Sequence, residues 1–293
     1  MTLPSIAIVG TGRVGLTLGR ALARAGARVA MLGRSVRELP TPLAPSVVAW
    51  APAISAADVV LVAVPDDAIG DVAQALADTG AVTERHVVLH CAGLYDRGVL
   101  SALDATAAAL GSLHPLQTIT VPDGDPDALA GNPAAVEGDA RAVAVARDLA
   151  TALGMAPIVE LDGAGKRLYH AGAVVASNYV VVLCAMAERL ARAAGAGDAA
   201  ATLYLPIMRR ALDNVAQRGA AMALSGPITR GDAGTVAAHL ETLSGSDRAL
   251  YAALGEEALR IARQRGLDET GALRIAAELR RAISTSSPVR SDG

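Results

Sequence analysis

A glycine-rich segment near the N-terminus has the spacing of a dinucleotide-binding loop. It reads GxGxxG, lies between a short apolar run and an amphipathic stretch, and consists of Gly10, Thr11, Gly12, Arg13, Val14 and Gly15. A strand before this motif and a helix after it are the context in which it binds a pyrophosphate, because the turn is tight, the backbone can approach closely and the helix N-terminus supplies free N–H groups. The alternative is a glycine-rich turn without a ligand.

The end of the second predicted strand indicates which dinucleotide binds. An NAD site usually has Asp or Glu there, whose carboxylate binds the ribose 2′-hydroxyl. This sequence has Arg34 and Ser35 instead. A guanidinium and a hydroxyl suit a 2′-phosphate, which a carboxylate would repel. We therefore predict NADP(H) as the cofactor, with an ordinary solvated Arg34 as the alternative.

Two further apolar runs end in small or polar residues that we expect to contact the cofactor, because ligands of open α/β sheets bind beyond the carboxyl ends of the strands. These residues are Val64, Pro65, Cys91, Ala92 and Gly93. The thiol of Cys91 is expected only to pack against the cofactor. His90 lies inside a buried strand, and we interpret it as structural.

The next apolar run ends at His114. Pro115 restricts the preceding residue to an extended conformation, which sets the direction of the imidazole. His114 could donate a proton or bind a substrate carboxylate. The alternative is a histidine that only bonds to backbone. Gln117 follows shortly after and is predicted to contact the substrate.

A long predicted helix carries a second group of candidate residues. Lys166 and His170 are four residues apart and share a face, which Ser177 and Asn178 extend. Polar groups on an apolar helix need partners if they are buried, and a cleft that holds cofactor and substrate would supply them. We predict that Lys166 or His170 is the general acid. His114 and Asn178 are expected to orient the substrate, and Ser177 to contact it. The alternative is that Lys166 simply reaches solvent.

The loop Ser225–Asp232 is the third candidate. It contains two glycines and a proline, which indicates an irregular and specific backbone between two helices. Arg230 could bind a substrate carboxylate in a bidentate manner. Pairing with Asp232 is the favoured alternative.

The elements that would position these residues alternate between strands and helices in the first half of the chain. This pattern predicts an α/β fold, a Rossmann-type doubly wound parallel sheet over residues 1–162. The predicted strands are Ile6–Val9, Arg28–Leu32, a weaker Val47–Trp50, Val59–Val64, His86–His90, one that ends with Gly111–His114, Ala134–Val136 and Pro157–Leu161. Helices are expected at Val14–Ala25 and Asp139–Leu153.

From Gly163 onward the pattern predicts helices only. We expect an all-helical C-terminal domain over residues 163–283 and a disordered tail over 284–293. The predicted helices are Lys166–Ala194, Ala199–Gln217, Asp232–Leu243, Asp247–Arg265 and Glu269–Ile283. Asp232, Ser246 and Asp268 are plausible N-caps.

Composition narrows the function classes. The net charge is −3 without a basic cluster, Phe is absent and Trp50 is the single tryptophan, which argues against a nucleic-acid partner. Two distant cysteines, Cys91 and Cys184, predict neither a disulfide framework nor a metal site. The N-terminus does not resemble a signal peptide. The longest apolar stretch, Ala171–Ala187, is too short for a membrane span, so we predict a buried core helix and a soluble, cytoplasmic protein.

Four segments together resemble one bacterial family, the Rossmann-like proteins with a helical C-terminal domain of unknown function. They are Val64–Ile69, Ser112–Thr118, Tyr169–Ala173 with Ser177 and Asn178, and Ser225–Asp232. That family is similar to pyrroline-5-carboxylate reductase and, more remotely, to the 6-phosphogluconate and 3-hydroxyacid dehydrogenases. The resemblance implies an NADP(H) domain, an interdomain active site and a homodimer built on the helical domains. It also places Lys166 where the hydroxyacid dehydrogenases have a catalytic lysine, but His170 stands where they have Asn, which argues against a hydroxyacid substrate.

The leading hypothesis is therefore an NADP(H)-dependent oxidoreductase that acts on a small polar C=O or C=N substrate. A protein that senses NADP(H) without turnover is the rival, and it places no demand on Lys166 or His170. A module that only dimerises would leave the GxGxxG motif and Arg34 unexplained.

Overall fold

The protein is described by a computed structural model that covers residues 3–284, and it divides into two compact units between Tyr179 and Val180. The last strand ends at Glu160, close to the domain boundary predicted near residue 162. The first unit nevertheless extends beyond residue 162 to Tyr179. It includes the helix that follows the sheet, whose Lys166 is hydrogen-bonded to residues of the sheet and of a loop that follows one of its strands. The predicted disordered tail lies outside the described residues, apart from Ser284, which ends the last helix.

The first unit is built on a seven-stranded sheet in the order β2-β1-β3-β4-β5-β6-β7. The strands are β1 (Ile6–Val9), β2 (Val29–Leu32), β3 (Val59–Val62), β4 (Val87–His90), β5 (Ala109–Pro115), β6 (Ala134–Gly138) and β7 (Ile158–Glu160). Strands β1 to β5 are parallel to one another, so their carboxyl ends lie at one edge of the sheet. The predicted α/β Rossmann-type fold is confirmed.

Both faces of the sheet are covered, which explains why its strands are nearly all apolar. Successive side chains of a strand point to opposite faces. Ile6 and Ile8 of β1 therefore pack with helices α1 (Arg13–Arg24) and α4 (Ala140–Ala152), whereas Ala7 and Val9 pack with α2 (Trp50–Ser55) and α3 (Ile69–Asp78). Full burial of each large apolar side chain contributes about 1.5–3 kcal/mol.

The direction of β6 corrects the prediction of a fully parallel sheet. β6 pairs antiparallel with β5, with Gly111 opposite Gly138, while β6 and β7 are parallel. The connection between β5 and β6 contains no helix, and a chain that returns without a crossover helix pairs in the antiparallel sense.

The predicted third strand, Val47–Trp50, is wrong. Val47 makes one isolated bridge to Leu32, and Trp50 already begins α2. Pro52 lies in the first turn of this helix, where proline is tolerated because its missing N–H would have no intrahelical partner.

Two predicted helices are each divided in the structure. The predicted Lys166–Ala194 consists of α5 (Gly163–Ala176) and α6 (Asn178–Ala193), separated at Ser177, whose hydroxyl donates back to the carbonyl of Ala173 at 2.7 Å. Such bonds compete with the helical ladder and bend helices. The predicted Ala199–Gln217 consists of α7 (Ala200–Leu203) and α8 (Leu205–Ala223), which begins with Pro at its second position.

The prediction that Ala171–Ala187 is a buried core helix is also wrong. Val175 and Val181 are 57% and 67% exposed. By length and composition alone, Gly163–Ala193 would suffice to cross a membrane, because it contains a window of 18 residues with a mean hydropathy of 1.6. A kink at Ser177 divides this stretch into helices of 14 and 16 residues.

The second unit contains most of α6 and the remaining helices, with α9 (Ala233–Thr242), α10 (Gly245–Gln264) and α11 (Glu269–Ser284) around one apolar core. Two predicted N-caps are present: Asp232 accepts from the N–H of Thr235 at 3.0 Å, and Asp268 from that of Gly271 at 2.8 Å. The third is wrong, because α10 begins at Gly245 and Ser246 lies inside it.

Candidate active site

The loop between β1 and α1 has the geometry that a bound pyrophosphate requires. Gly10 has a φ of +118°, and a Cβ there would collide with the carbonyl oxygen of Ala63. A Cβ on Gly15 would collide with the carbonyl oxygen of Gly10, whereas one on Gly12 would have no neighbour within 4 Å. Two glycines thus keep the loop close to β3, and the third leaves open space at the helix N-terminus. The residues fit a dinucleotide phosphate, whose oxygens would accept hydrogen bonds from the free N–H groups at the N-terminus of α1.

A second arginine joins the residues predicted to bind a 2′-phosphate. Arg34 and Ser35 are exposed directly after β2. Nη1 of Arg37 lies 3.5 Å from the hydroxyl of Thr11, within the glycine loop. The hydroxyl of Ser46 accepts from the N–H of Arg37 and donates to the carbonyl of Ser35, both at 3.0 Å, and so holds the turn. The sequence analysis did not identify Arg37, although it is the next basic residue after Arg34.

The residues after β3 and β4 lie at the same edge of the sheet as the glycine loop. Val64 approaches Gly10, with its Cγ1 3.2 Å from the position a Cβ of Gly10 would take. Pro65 follows it and is exposed. Burial raises the pKa of the Cys91 thiol to about 12, so Cys91 is a packing group and not a nucleophile at neutral pH.

His90 is held in one neutral form. Its Nδ1 accepts from the N–H of Ala92 at 3.2 Å, so Nε2 carries the hydrogen and donates to the carbonyl of Asp96 at 3.2 Å. Burial and, secondarily, the charge of Lys166 lower the pKa of His90 to about 3. Its role is to bond backbone at the end of β4.

A cavity of about 780 Å³ lies at the end of β5 and along α5, within the first unit. It brings together five residues that the sequence analysis proposed for catalysis or substrate binding: His114, Gln117, His170, Ser177 and Asn178. Its other lining residues are Leu116, Thr118, Tyr169, Gly172, Ala173, Val174 and Ala176. Lys166 is not among the lining residues.

His114 and Tyr169 form a hydrogen-bonded pair in this cavity. Nδ1 of His114 lies 3.0 Å from Oη of Tyr169, and the two rings meet edge to face. Burial, aided by the charge of Lys166, lowers the pKa of His114 to about 4, and burial raises the pKa of Tyr169 to about 12. Both groups are therefore neutral at pH 7. Tyr169 was not among the residues predicted to form the site, although it directly precedes His170 in one of the segments that resemble the family.

Gly93 lies against both cavity histidines. A Cβ there would be 2.6 Å from Nδ1 of His170 and 2.9 Å from Nε2 of His114. The imidazole rings of these histidines are 6.1 Å apart between centroids. Nδ1 of His170 is buried without a hydrogen-bond partner in the described part of the chain. An N–H left without an acceptor is costly, so we place the hydrogen of His170 on Nε2.

Lys166 is buried beneath the cavity and is only 1% exposed, which rules out the alternative that it reaches solvent. Its ammonium donates to the carbonyl of Ala92 at 3.1 Å and to the hydroxyl of Ser112 at 2.6 Å. Burial lowers its pKa to about 8, against the opposing effect of the Glu137 carboxylate. Lys166 and His170 therefore do not point to the same site. The lysine side chain is directed toward the sheet, whereas His170 lines the cavity.

Three further predicted substrate contacts have structural partners. The side chain of Gln117 donates to the carbonyl of Ala128 at 3.0 Å and accepts from the N–H of Thr118 at 2.7 Å, so it braces the loop after β5. The hydroxyl of Ser177 lies 2.9 Å from Oδ1 of Asn178. Both residues line the cavity, and the amide nitrogen of Asn178 is the group they can offer to a ligand.

Arg230 belongs to the second unit, at the end of the short 3₁₀ helix Ile228–Arg230. Asp232 is occupied as the N-cap of α9, where it also accepts from the hydroxyl of Thr235 at 2.7 Å. Arg230 and Asp232 form no direct ion pair in the described residues, but the pKa of Asp232 is lowered by its hydrogen bonds to Thr235 and, secondarily, by the nearby charge of Arg230.

Two family models match consecutive parts of the chain. Residues 2–115 match a Rossmann-like domain, and residues 132–258 match a domain of unknown function, DUF2520. The chain thus joins a Rossmann-like domain to a DUF2520 domain, which confirms the family expected from its sequence segments. No curated protein sequence matches the chain.

Solved structures share the fold at low sequence identity. A Bacteroides fragilis protein assigned as an NADP oxidoreductase is 19% identical, with a TM-score of 0.66 over 89% of this chain and 98% of that one. A Thermotoga maritima protein is 20% identical, with a TM-score of 0.65 over 89% and 99% of the two chains. Plasmodium falciparum pyrroline carboxylate reductase with bound NADP is 14% identical, with a TM-score of 0.56 over 98% and 100%.

Proposed function

We propose that this chain, with its Rossmann-like and DUF2520 domains, is an NADP(H)-dependent oxidoreductase that acts on a small polar C=O or C=N substrate. The observation that carries the proposal is the His114–Tyr169 pair in a cavity at the same sheet edge as the Gly10–Gly15 loop. Ligands of open α/β sheets bind at this edge. Oxidoreductases that share the fold, one of them with NADP bound, support the same conclusion.

The choice of NADP(H) rests on the cations beyond β2. Arg34 and Arg37 are both exposed there, and Arg37 reaches the glycine loop. A 2′-phosphate would receive charge-assisted hydrogen bonds from such guanidinium groups, each worth about 1.5–3 kcal/mol. The residues that would hold the cofactor are Gly10, Thr11, Gly12, Arg13, Val14, Gly15, Arg34, Ser35, Arg37, Val64, Pro65, Cys91, Ala92 and Gly93.

When bound, the nicotinamide cofactor supplies a hydride. The chain has to supply a proton to the oxygen or nitrogen that is reduced. Tyr169 is protonated at neutral pH and lines the cavity. In the tautomer with hydrogen on Nδ1, His114 donates to Oη of Tyr169 and leaves the phenol O–H free to donate into the cavity. A proton that leaves Tyr169 is then compensated by the hydrogen bond from His114.

The other polar residues in and near the cavity have separate roles in this mechanism. His170 would donate a hydrogen bond from Nε2 to the substrate, while Asn178 would orient the substrate through its amide. Lys166 does not donate to the substrate in this mechanism, because its hydrogen bonds go to Ala92 and Ser112. It acts on the site through its charge, which helps to keep His114 neutral.

A parallel fluorescence titration with NADPH and NADH tests the cofactor assignment. We expect the protein to prefer NADPH, and Arg34→Gln/Arg37→Gln to lose that preference by about tenfold or more, the effect of one charge-assisted bond. Arg28→Gln is the matched control, because Arg28 is exposed before the opposite end of β2. Preference for NADH in the unaltered chain would refute the assignment. If the protein binds NADPH but no ketone or imine leads to oxidation of the NADPH, the alternative of a protein that senses NADP(H) without turnover would be favoured.

We propose further that the chain is a soluble, cytoplasmic homodimer built on its helical unit, without a nucleic-acid or membrane partner. α8 buries none of its side chains against the described residues, and Val181 of α6 and Ile207 of α8 are 67% and 66% exposed. α6 and α8 are in contact, because the sulfur atoms of Cys184 and Met208 lie 3.3 Å apart. The exposed apolar side chains of the two helices therefore lie on adjacent helices. Helices of this kind gain most of their stability from packing, which a second copy would supply. Sedimentation equilibrium should give twice the chain mass, and Ile207→Glu should give the monomer.

A further inference from the structure

We propose that the substrate of this cavity is an uncharged ketone or imine with an apolar body, and that it carries no carboxylate or phosphate group where the cavity holds it. The inference rests on the proposed function and names the class of substrate for the same site.

The chemistry of the lining carries the proposal. In the part of the chain that the structure describes, the lining contains imidazole, phenol, amide and hydroxyl groups but no Asp, Glu, Lys or Arg. A buried anion needs a paired cation, because its lost hydration is not otherwise replaced. Neutral hydrogen-bonding groups do suit a carbonyl oxygen or an imine nitrogen, which need only one or two such partners.

The Lys166 ammonium, whose charge acts on His114, already has hydrogen-bond partners of its own. Lys166 donates to Ala92 and Ser112, and Ser112 in turn donates to the Glu137 carboxylate at 3.3 Å. The buried positive charge is thus linked to a buried negative charge inside the first unit. It is not directed to the cavity and cannot pair with an anionic ligand there without leaving these partners.

The two imidazoles do not replace the missing cation. His114 lies close to the Lys166 charge and is neutral at pH 7, since its pKa is about 4. His170 has Nδ1 buried against Gly93 without an acceptor, so a doubly protonated ring would leave an N–H unpaired. His114 therefore acts as a neutral hydrogen-bonding group, and the buried Nδ1 of His170 offers no hydrogen bond to a ligand.

The remaining lining fits an apolar body. Leu116, Val174 and the small residues Ala173 and Ala176 supply hydrocarbon surface beside the polar groups. A substrate with its reacting C=O or C=N bond near Tyr169 and a hydrocarbon ring or chain along α5 would satisfy both parts of the cavity.

The test compares matched pairs of compounds. Ketones and cyclic imines are prepared with one skeleton as the carboxylate and as the primary carboxamide, and binding to the full chain is followed by ligand-observed NMR with NADP⁺ present, so that no reduction occurs. We expect the carboxamides to bind at least about tenfold more tightly than the carboxylates. Carboxylates that bind equally or better would overturn the proposal, and so would a series in which no carboxamide binds.

Variants tie the preference to this cavity. Ala173→Phe should abolish the binding, because it fills the cavity, whereas Ala171→Phe should not, since Ala171 is exposed on the same helix and does not line it. Leu116→Arg supplies the missing cation and should shift the preference toward the carboxylate by about tenfold. An unchanged preference in Leu116→Arg would contradict the inference, because the lining would then not set it.

NADPH oxidation is measured separately with each compound that binds. Carboxamides that bind in an Ala173-dependent manner but are never reduced would contradict the proposed oxidoreductase and leave the ligand class supported. Reduction of a keto acid in preference to its amide would support the oxidoreductase and overturn the inference.

Discussion

The ammonium nitrogen of Lys166 lies 2.6 Å from the hydroxyl oxygen of Ser112. The hydroxyl of Ser112 donates in turn to the Glu137 carboxylate, and the ammonium also donates to the carbonyl of Ala92, so one side chain of α5 connects β5, β6 and the residues after β4. Among the 26 Lys and Arg residues of the chain, Lys166 is the only lysine. An ammonium is a compact charge with three donors, whereas a planar guanidinium would need more space between these strands.

Replacement of Lys166 should destabilise the first unit. Lys166→Met leaves the buried Glu137 carboxylate without its bridged cation, and we expect the free energy of unfolding to fall by about 3 kcal/mol in urea titrations. Arg260→Met, which removes an exposed pair with Glu257, should cost less than about 1 kcal/mol. Lys166→Met/Glu137→Gln should recover part of the loss. Equal effects of the two single replacements would show that the Lys166 network is not stabilising.

Two histidines should make the fold sensitive to acid. The pKa of His90 is about 3 and that of His114 about 4, both below the ordinary histidine value of 6.5 because of burial and, secondarily, the Lys166 charge. Between pH 6.5 and about 4 the unfolded chain binds protons that the folded chain does not. The free energy of unfolding should therefore fall with decreasing pH, by about 1.4 kcal/mol per pH unit for each histidine.

Urea unfolding at several pH values between 7 and about 4 measures this slope. His114→Gln keeps a polar side chain but cannot titrate in this range, and should reduce the slope by the share of one histidine. A slope that is the same in His114→Gln and in the unaltered protein would mean that the pKa of His114 is not lowered by folding.

Loss of the Tyr169 hydroxyl should slow turnover more than it weakens binding. A positioned general acid contributes about 10²–10⁴-fold, so Tyr169→Phe should lower kcat by that factor with little change in NADPH affinity. Tyr251→Phe is a matched control, because its hydroxyl also bonds a histidine, His239 at 2.7 Å, but does not line the cavity. If Tyr169→Phe retains full kcat, the proton comes from another group, and His170→Gln is the next variant to measure.

A side chain at position 93 should damage the site, since the Cβ of Gly93→Ala would come within 3 Å of both cavity imidazoles. We expect a lower melting temperature and weaker substrate binding. Gly70→Ala, in α3 with no neighbour within 4 Å, should instead raise stability by about 0.5–1 kcal/mol, because alanine favours the helix. Equal changes in the two variants would show that the close approach at Gly93 does not hold the histidines.

Local rules were sufficient to predict the strand, the glycine loop and the helix at the start of the chain. An apolar strand, three glycines with fixed spacing and an amphipathic helix depend on neighbours in sequence, and β1, Gly10, Gly15 and α1 lie where that pattern predicts. The ends of β3, β4 and β5 fall within two residues of their predicted positions, and the carboxyl ends of parallel strands meet at one edge, so the positions of Gly93 and His114 at this edge were also predicted.

Only the tertiary structure decided which way the polar side chains of α5 turn and what covers the apolar helices. Lys166 and His170 share a helix face in sequence, yet one binds the sheet and the other meets the cavity, because Ser112 and Ala92 come from strands distant along the chain. Periodicity likewise marked α6 as apolar, but an apolar face can be covered by its own chain or left for a partner, and the sequence pattern is the same in both cases. Spacing along the chain determines local structure, whereas burial depends on residues that meet only after folding.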